Sequence, residues 1–259
     1  MGNTQQHLLL FQGIIIDMKG NTKNGLKIKQ QMVQIYFILR HIIYTARKLL
    51  IRLLFPSKIN SIGLNIILTK LIKNIRSLGW GRIHGNDFLV NSNNLNSLIF
   101  RAKYLLKNQT TIQEIANQIK KSDKKKFKVN ITKLFKKNEI ENIIKDENLI
   151  GIINEYFGTE PYIIASEIYW DQYLNQSEIS SQLFHFDGED PILLKVFIYL
   201  TDVSEKDGPF VYLEKSQNFF NKIQMIFLHG IHGISDLNFS PKLLPKVKKF
   251  TGSAGDIIF

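Results

Sequence analysis

Residues 182–203 read QLFHFDGEDPILLKVFIYLTDV, a β-rich stretch that holds His185 and Asp187 two positions apart. In an extended strand, residues i and i+2 point to the same side, so this imidazole and this carboxylate project from one face. Such a pair supplies two of the three donors in the facial triad, two histidines and one carboxylate, that holds non-haem Fe(II). The stretch therefore predicts a metal site at His185 and Asp187. The structural alternative is a half-buried strand histidine beside an aspartate that opens the GEDP turn.

Further segments follow this pair in a characteristic order. They are a GEDP turn at 188–191, a β-rich run at 192–200, GPFVY at 208–212 and FTGSAGDIIF at 250–259. This order resembles the phytanoyl-CoA dioxygenase-like family of Fe(II)/2-oxoglutarate-dependent oxygenases. The resemblance covers residues 162–259, with a fainter match at 78–89, and Ser216-Gln217 stands where the family usually has Ser-His.

The resemblance implies a fold and a chemistry. The implied fold is mainly β: a double-stranded β-helix, or jelly roll, with N-terminal helices packed around it. The implied activity is hydroxylation of a small organic substrate by O2, with Fe(II) on His185 and Asp187 and 2-oxoglutarate as co-substrate. In the family, a distal histidine and an arginine for 2-oxoglutarate follow the GDIIF-like strand, whereas here no His follows His232 and no Arg follows Arg101. We therefore expect a C-terminally truncated oxygenase.

Three residues are candidates for binding the co-substrate: Lys195, Tyr199 and Gln182. Strand alternation puts Lys195 and Tyr199 on one face of the run 195–200 and the aliphatic positions between them on the other. A lysine in an apolar strand needs a counter-charge or an exit to water, and a dicarboxylate could supply that charge. A salt bridge from Lys195 to a neighbouring acid is the alternative.

The remaining histidines are interpreted as structural. His229 and His232 lie in an HGIHG stretch that precedes the final strand, whereas the family's distal histidine follows that strand. His84 lies in a glycine-flanked turn. None of the three is predicted to bind metal.

Composition limits the other function classes. The chain has 259 residues, 44% of them hydrophobic, and no cysteine. The lack of cysteine excludes disulfides and thiolate sites and suits a cytoplasmic protein.

Positive charge is concentrated in the N-terminal third. Residues 1–82 hold 13 Lys and Arg against one acid, Asp17, which accounts for the whole net charge of +12. Such asymmetry indicates an anionic partner or, alternatively, compositional drift. The basic stretch 120–128 lacks interleaved aromatics and is interpreted as a solvated linker, so nucleic acid is not a predicted partner.

Residues 27–55 are predicted to form a basic amphipathic helix that ends at Pro56. Its apolar side either packs on the domain or lies in a membrane interface. The second option gives the alternative function, a non-catalytic jelly-roll module that associates with a membrane surface. The sequence does not predict an oligomeric state.

The pattern divides the chain into a basic helical region (1–82), a mainly helical segment (83–158) and an incomplete β-helix core (159–259). Local signals predict a helix at 62–78, a strand pair at 80–90 that turns at 85–87, a capping box at Asn138 and a helix C-cap at Gly158. Strands are predicted at 162–173, 182–187, 192–203, 209–213, 247–251 and 256–259.

Overall fold

A computed structural model of the chain describes most of its middle and its C-terminal part. The described residues are 35–36, 38–40, 42–43, 46, 66–108, 128–158, 162–171, 193–218, 220–222, 224–225 and 246–259.

Five α-helices have defined bounds among these residues. They are α1 (Ile66–Leu78), α2 (Gly85–Phe88), α3 (Asn93–Lys107), α4 (Lys137–Ile144) and α5 (Glu147–Phe157). Short 3-10 turns occupy Thr132–Leu134 and Glu205–Asp207, and helical residues also occur between positions 35 and 46. Every helix among the described residues is too short or too polar for a membrane crossing.

The helix ends follow from local chemistry. Gly79 ends α1 at a φ of +88°, a left-handed conformation that glycine adopts without steric cost. Gly158 caps α5 in the same way, at φ 73°, as predicted. At the other end of α5, the carboxylate of Asp146 accepts from the amides of Asn148 and Leu149. The predicted capping box at Asn138 is wrong, because Asn138 already lies inside α4, whose N-cap is Lys136, two residues earlier, and makes no side-chain cap.

Seven short strands form three antiparallel sheets. The strands are β1 (Arg82–His84), β2 (Lys128–Asn130), β3 (Tyr169–Asp171), β4 (Phe197–Ile198), β5 (Phe210–Leu213), β6 (Val247–Phe250) and β7 (Asp256–Ile258). The largest sheet has the order β1-β7-β4, and the pairs β2-β3 and β5-β6 form the other two. In the three-stranded sheet, Ile257 lies opposite Ile83 on one side and Ile198 on the other.

One hydrophobic core joins the helices to β7. Its buried residues come from α1, α3, α4 and α5, and include Leu71, Leu95 and Ile152, together with Ile257 and Phe259 from the C-terminal strand region. All three regions predicted from the sequence therefore contribute to the same core.

The run 193–200 lies between two apolar layers. Val196, Ile198 and Leu200 pack against the helical core, which confirms the predicted alternation along this run. On the opposite face Phe197 stacks on Phe210 of β5, with ring centroids 4.3 Å apart, and Phe210 stacks in turn on Phe250 of β6. An aromatic layer thus joins the three-stranded sheet to the β5–β6 pair.

The prediction of a mainly β jelly roll is wrong. Helical residues clearly outnumber strand residues in the described part of the chain, the strands have two to four residues each, and no barrel closes among them. The β-branched and aromatic runs after residue 159 do favour extended backbone, but most of the backbone that the structure describes there is not paired into a sheet. The helices, predicted to surround a β-core, instead supply most of the core.

The predicted strand pair at 80–90 is also wrong. β1 pairs with β7 rather than with a local partner, and the residues expected to form the turn, Gly85 to Asp87, begin α2. The side chain of His84 explains the difference, because it accepts a hydrogen bond from the amide of Asn86 and caps that helix.

Substitution of Ile152 by alanine should test the helical core. Ile152 is 0% exposed, whereas Ile150 on the same helix is 39% exposed. We expect Ile152→Ala to lower the free energy of unfolding by about 2–5 kcal/mol and Ile150→Ala by less than about 1 kcal/mol, as measured by urea unfolding. Equal losses in the two variants would contradict this assignment of the core.

Candidate functional site

The structure describes two of the five sequence-predicted site residues. Lys195 and Tyr199 lie in the run that contains β4, whereas Gln182, His185 and Asp187 fall outside the described residues, as do His229 and His232. Within the described part of the chain, no three His, Asp or Glu side chains come close enough together to hold a metal ion. The metal and co-substrate assignments therefore stay predictions.

Lys195 and Tyr199 lie in different environments although they share a predicted face. The side chain of Lys195 is exposed. The hydroxyl of Tyr199 is half-buried, donates to the carbonyl oxygen of Phe250 at 2.7 Å and accepts from the amide of Phe210 at 3.3 Å. Burial raises the pKa of Tyr199 above its ordinary value, so the hydroxyl stays protonated at neutral pH. It links β4 to both strands of the β5–β6 pair.

The backbone of Tyr199 is also fixed, by the segment that leads into β7. Its amide donates to the carbonyl oxygen of Asp256 at 2.9 Å, and its carbonyl oxygen accepts from the amide of Gly255 at 2.7 Å. Main chain and side chain of this residue are therefore both hydrogen-bonded to the sheets.

A polar cluster surrounds the turn at residues 251–255. Asp256 is buried, and its Oδ2 accepts from Nη2 of Arg82 at 2.6 Å and from the amide of Ser253 at 2.7 Å. Nη1 of Arg82 donates to the carbonyl oxygen of Thr251 at 2.8 Å. Gly252 leaves room for this arrangement, because a Cβ at that position would collide with the Asp256 carboxylate.

Two further side chains hold the same turn. Asp202 accepts from the amide of Ala254 at 2.9 Å, and Nε2 of His84 lies 3.3 Å from the carbonyl oxygen of Ala254. Since Nδ1 of His84 accepts from a backbone amide, Nε2 carries the proton and donates to that carbonyl. Sequence reasoning missed this cluster. The available signal was Asp256 directly after a Gly-Ser-Ala-Gly turn, but its partner Arg82 lies 174 residues away.

The chemistry of the polar cluster is structural. Charge-assisted bonds from Arg82 and a backbone amide occupy the carboxylate of Asp256, and both ring nitrogens of His84 have partners. These groups fix the turn through which the chain enters β7.

A shallow groove of about 390 Å³ lies between α1 and α5. It is lined by Thr69, Ile72, Lys73, Arg76, Ser77 and Glu155. Arg76 forms an ion pair with Glu155 across it at 2.8 Å, so the groove does not present an uncompensated arginine charge.

Compared with protein-family models, curated proteins and solved structures, the chain has no significant match. The resemblance to the phytanoyl-CoA dioxygenase-like family consequently rests on the quoted motifs.

Substitution of Asp256 should destabilise the entry to β7. Asp256→Asn removes the charge from a buried acceptor that holds Arg82 and the turn, so we expect unfolding to become easier by about 1–3 kcal/mol in urea titrations. Because Arg82 is partly exposed, the loss of stability should be smaller than for a fully buried ion pair. Lys137→Met, which breaks the exposed pair with Glu141, is the control and should cost less than about 0.5 kcal/mol. An Asp256→Asn effect as small as the control would contradict this role.

Tyr199 should make stability depend on alkaline pH. Because its folded-state pKa is raised above 10.0, the unfolded chain releases this proton first. The contribution of the neutral hydroxyl is therefore complete below about pH 10 and is lost as pH rises through the folded-state pKa. In urea titrations, Tyr199→Phe should lose about 1–2 kcal/mol at neutral pH, because two backbone groups lose their partner. The free energy of unfolding of this variant should also fall less steeply above about pH 10 than that of the unsubstituted protein.

The exposed Tyr104 supplies the control for this experiment. Tyr104→Phe should match the unsubstituted protein in stability at neutral pH, because this residue is exposed. If Tyr199→Phe were as stable as Tyr104→Phe at neutral pH, the hydroxyl would not join the sheets as described.

Proposed function

We propose that the protein is an Fe(II)- and 2-oxoglutarate-dependent oxygenase that hydroxylates a small organic substrate. The observation that carries this proposal is the motif His185-Phe186-Asp187 within its ordered series of downstream segments. An isolated histidine–aspartate pair has little specificity, whereas the pair followed by a returning strand, GPFVY and GDIIF is far less common by chance.

The neighbouring strands give the proposal further support. Two segments that carry the resemblance, around β4 and β7, lie about sixty residues apart in sequence and are paired strands, with Phe197 opposite Ile258. A third, GPFVY, contains β5, which joins β4 through the aromatic layer. Segments on which the motif depends thus contact one another, although they do so in a mainly helical protein.

The donor set fits iron. A neutral imidazole nitrogen and a carboxylate oxygen are the ligand types of Fe(II) sites that leave positions open for co-substrate and O2. Bound Fe(II) with 2-oxoglutarate would supply O2 activation, with release of succinate and CO2 as a substrate C–H bond is oxidised. The contribution of this chain would be to present the two donors side by side and to keep water from the remaining positions.

The part of the proposal that concerns the co-substrate assigns Lys195 to one carboxylate of 2-oxoglutarate. A lysine in an apolar strand needs a counter-charge or an exit to water, and a carboxylate of the co-substrate could supply that charge. Lys195 lies two positions before Phe197 of β4, and its side chain is exposed. Gln182 and Tyr199 are proposed as lesser contributors of hydrogen bonds to the co-substrate.

A cytoplasmic location belongs to the same proposal, since a reducing compartment keeps iron as Fe(II).

Metal binding and turnover should test the proposal together. Under anaerobic equilibrium dialysis with Fe(II) and 2-oxoglutarate, His185→Ala and Asp187→Ala should each weaken iron binding by on the order of 100-fold or more. His232→Ala is the matched control, because that histidine is interpreted as structural, and it should bind iron as the unsubstituted protein does. With O2 admitted, succinate should form when the chain is extended by a segment that carries the distal histidine and the arginine implied by the resemblance, and His185→Ala should abolish that succinate formation.

Two results would count against the proposal. Iron binding that is equally strong in all three variants would remove His185 and Asp187 as ligands. Iron bound at these residues without succinate formation by the extended chain would reject the oxygenase activity and leave a metal site alone.

A further inference from the structure

The helical residues between positions 35 and 46 expose an apolar face. Ile35, Leu39, Ile42 and Ile43 are 55%, 52%, 46% and 66% exposed, and Ala46 is also exposed. At 100° per residue these five side chains occupy an arc of about 100°. On both sides of the arc the described side chains are half-buried, and they include Arg40. Among the described residues of this segment, the exposed side chains are therefore all apolar.

This distribution differs from that on α3. The exposed positions of α3 are mixed, since Phe100 and Tyr104 alternate there with charged side chains such as Arg101 and Lys103. Apolar side chains scattered singly among charges are normal on a protein surface, whereas a continuous aliphatic arc marks a contact surface.

The charge of the surrounding sequence indicates what covers this arc. No acidic residue occurs from Met18 to Asn86, while Arg40, Arg47, Lys48 and Arg52 lie within thirteen positions. Aliphatic side chains on a helix in a strongly basic segment are complementary to a bilayer interface, where acyl chains accept the apolar side and anionic headgroups attract the cations. A second copy of the chain would instead bring two basic segments together, at an electrostatic cost.

We infer that the described helical residues between positions 35 and 46 dock on an anionic membrane surface, with Ile35, Leu39, Ile42 and Ile43 inserted at the level of the headgroups. The helix lies in the interface and does not cross the bilayer. The inference uses none of the residues of the proposed metal site, so either assignment can fail without the other.

Sedimentation with lipid vesicles tests the inference. The full chain should bind vesicles of phosphatidylcholine with phosphatidylserine at low salt, bind weakly to phosphatidylcholine alone, and lose affinity as salt is raised. Leu39→Gln/Ile43→Gln should weaken binding by about tenfold or more, because two aliphatic side chains no longer enter the bilayer. The control Leu106→Gln/Ile150→Gln changes the same residue types at exposed positions of α3 and α5 and should bind within about twofold of the unsubstituted protein.

Three outcomes would overturn the inference. The first is failure of the unsubstituted chain to bind anionic vesicles at low salt. The second is salt-sensitive binding that Leu39→Gln/Ile43→Gln leaves unchanged, which would indicate adsorption by charge alone. The third is a concentration-dependent dimer, seen by analytical ultracentrifugation and lost in that variant, without vesicle binding, which would assign the face to a second copy. Circular dichroism of the two double variants should match, since all four substituted positions are exposed.

Discussion

The structure depends on the central position of β7. Its backbone pairs with β1 on one edge and β4 on the other, while Ile257 and Ile258 are completely buried. At the end of the strand, Phe259 and Gly81 exchange two backbone hydrogen bonds next to the end of α1. Elements from positions near 80 and near 200 thus meet on one short strand. A strand paired on both edges satisfies its amides and carbonyls without water, which allows it to lie inside a helical core.

The polar cluster around residues 251–255 explains how this strand keeps its register. Asp256 is the first residue of β7, and its carboxylate is held by Arg82 and by the turn itself. Ile257 and Ile258 lie on opposite faces and are both completely buried, so a slip of one residue would exchange one isoleucine for the other, but it would move the carboxylate of Asp256 away from Arg82 and towards the helical core. The ion pair therefore specifies the alignment, and β1 is positioned with it because it carries Arg82.

Features set by neighbours in sequence were predictable, and those set by distant partners were not. The ends of α1 and α5 followed from Gly79 and Gly158, and β5, β6 and β7 fall within one residue of the predicted strands. The alternation at 195–200 was also predicted, because a strand between two layers shows it directly. The partner of β1 could not be read from local turn chemistry. The jelly-roll prediction failed for a related reason: propensity identifies extended backbone, but pairing decides whether it becomes a sheet.

The failure of the fold prediction bears differently on each predicted site residue. Metal binding by His185 and Asp187 requires two donors on one local stretch, and fold class does not decide whether such a stretch exists. Tyr199 depends more on the fold, because its hydroxyl makes one bond to each strand of the β5–β6 pair, and a co-substrate would have to compete with both backbone groups. The side chain of Lys195 is exposed, whereas that of Tyr199 is half-buried. Of the two described candidates, the tyrosine is therefore the better suited to hold the sheets together.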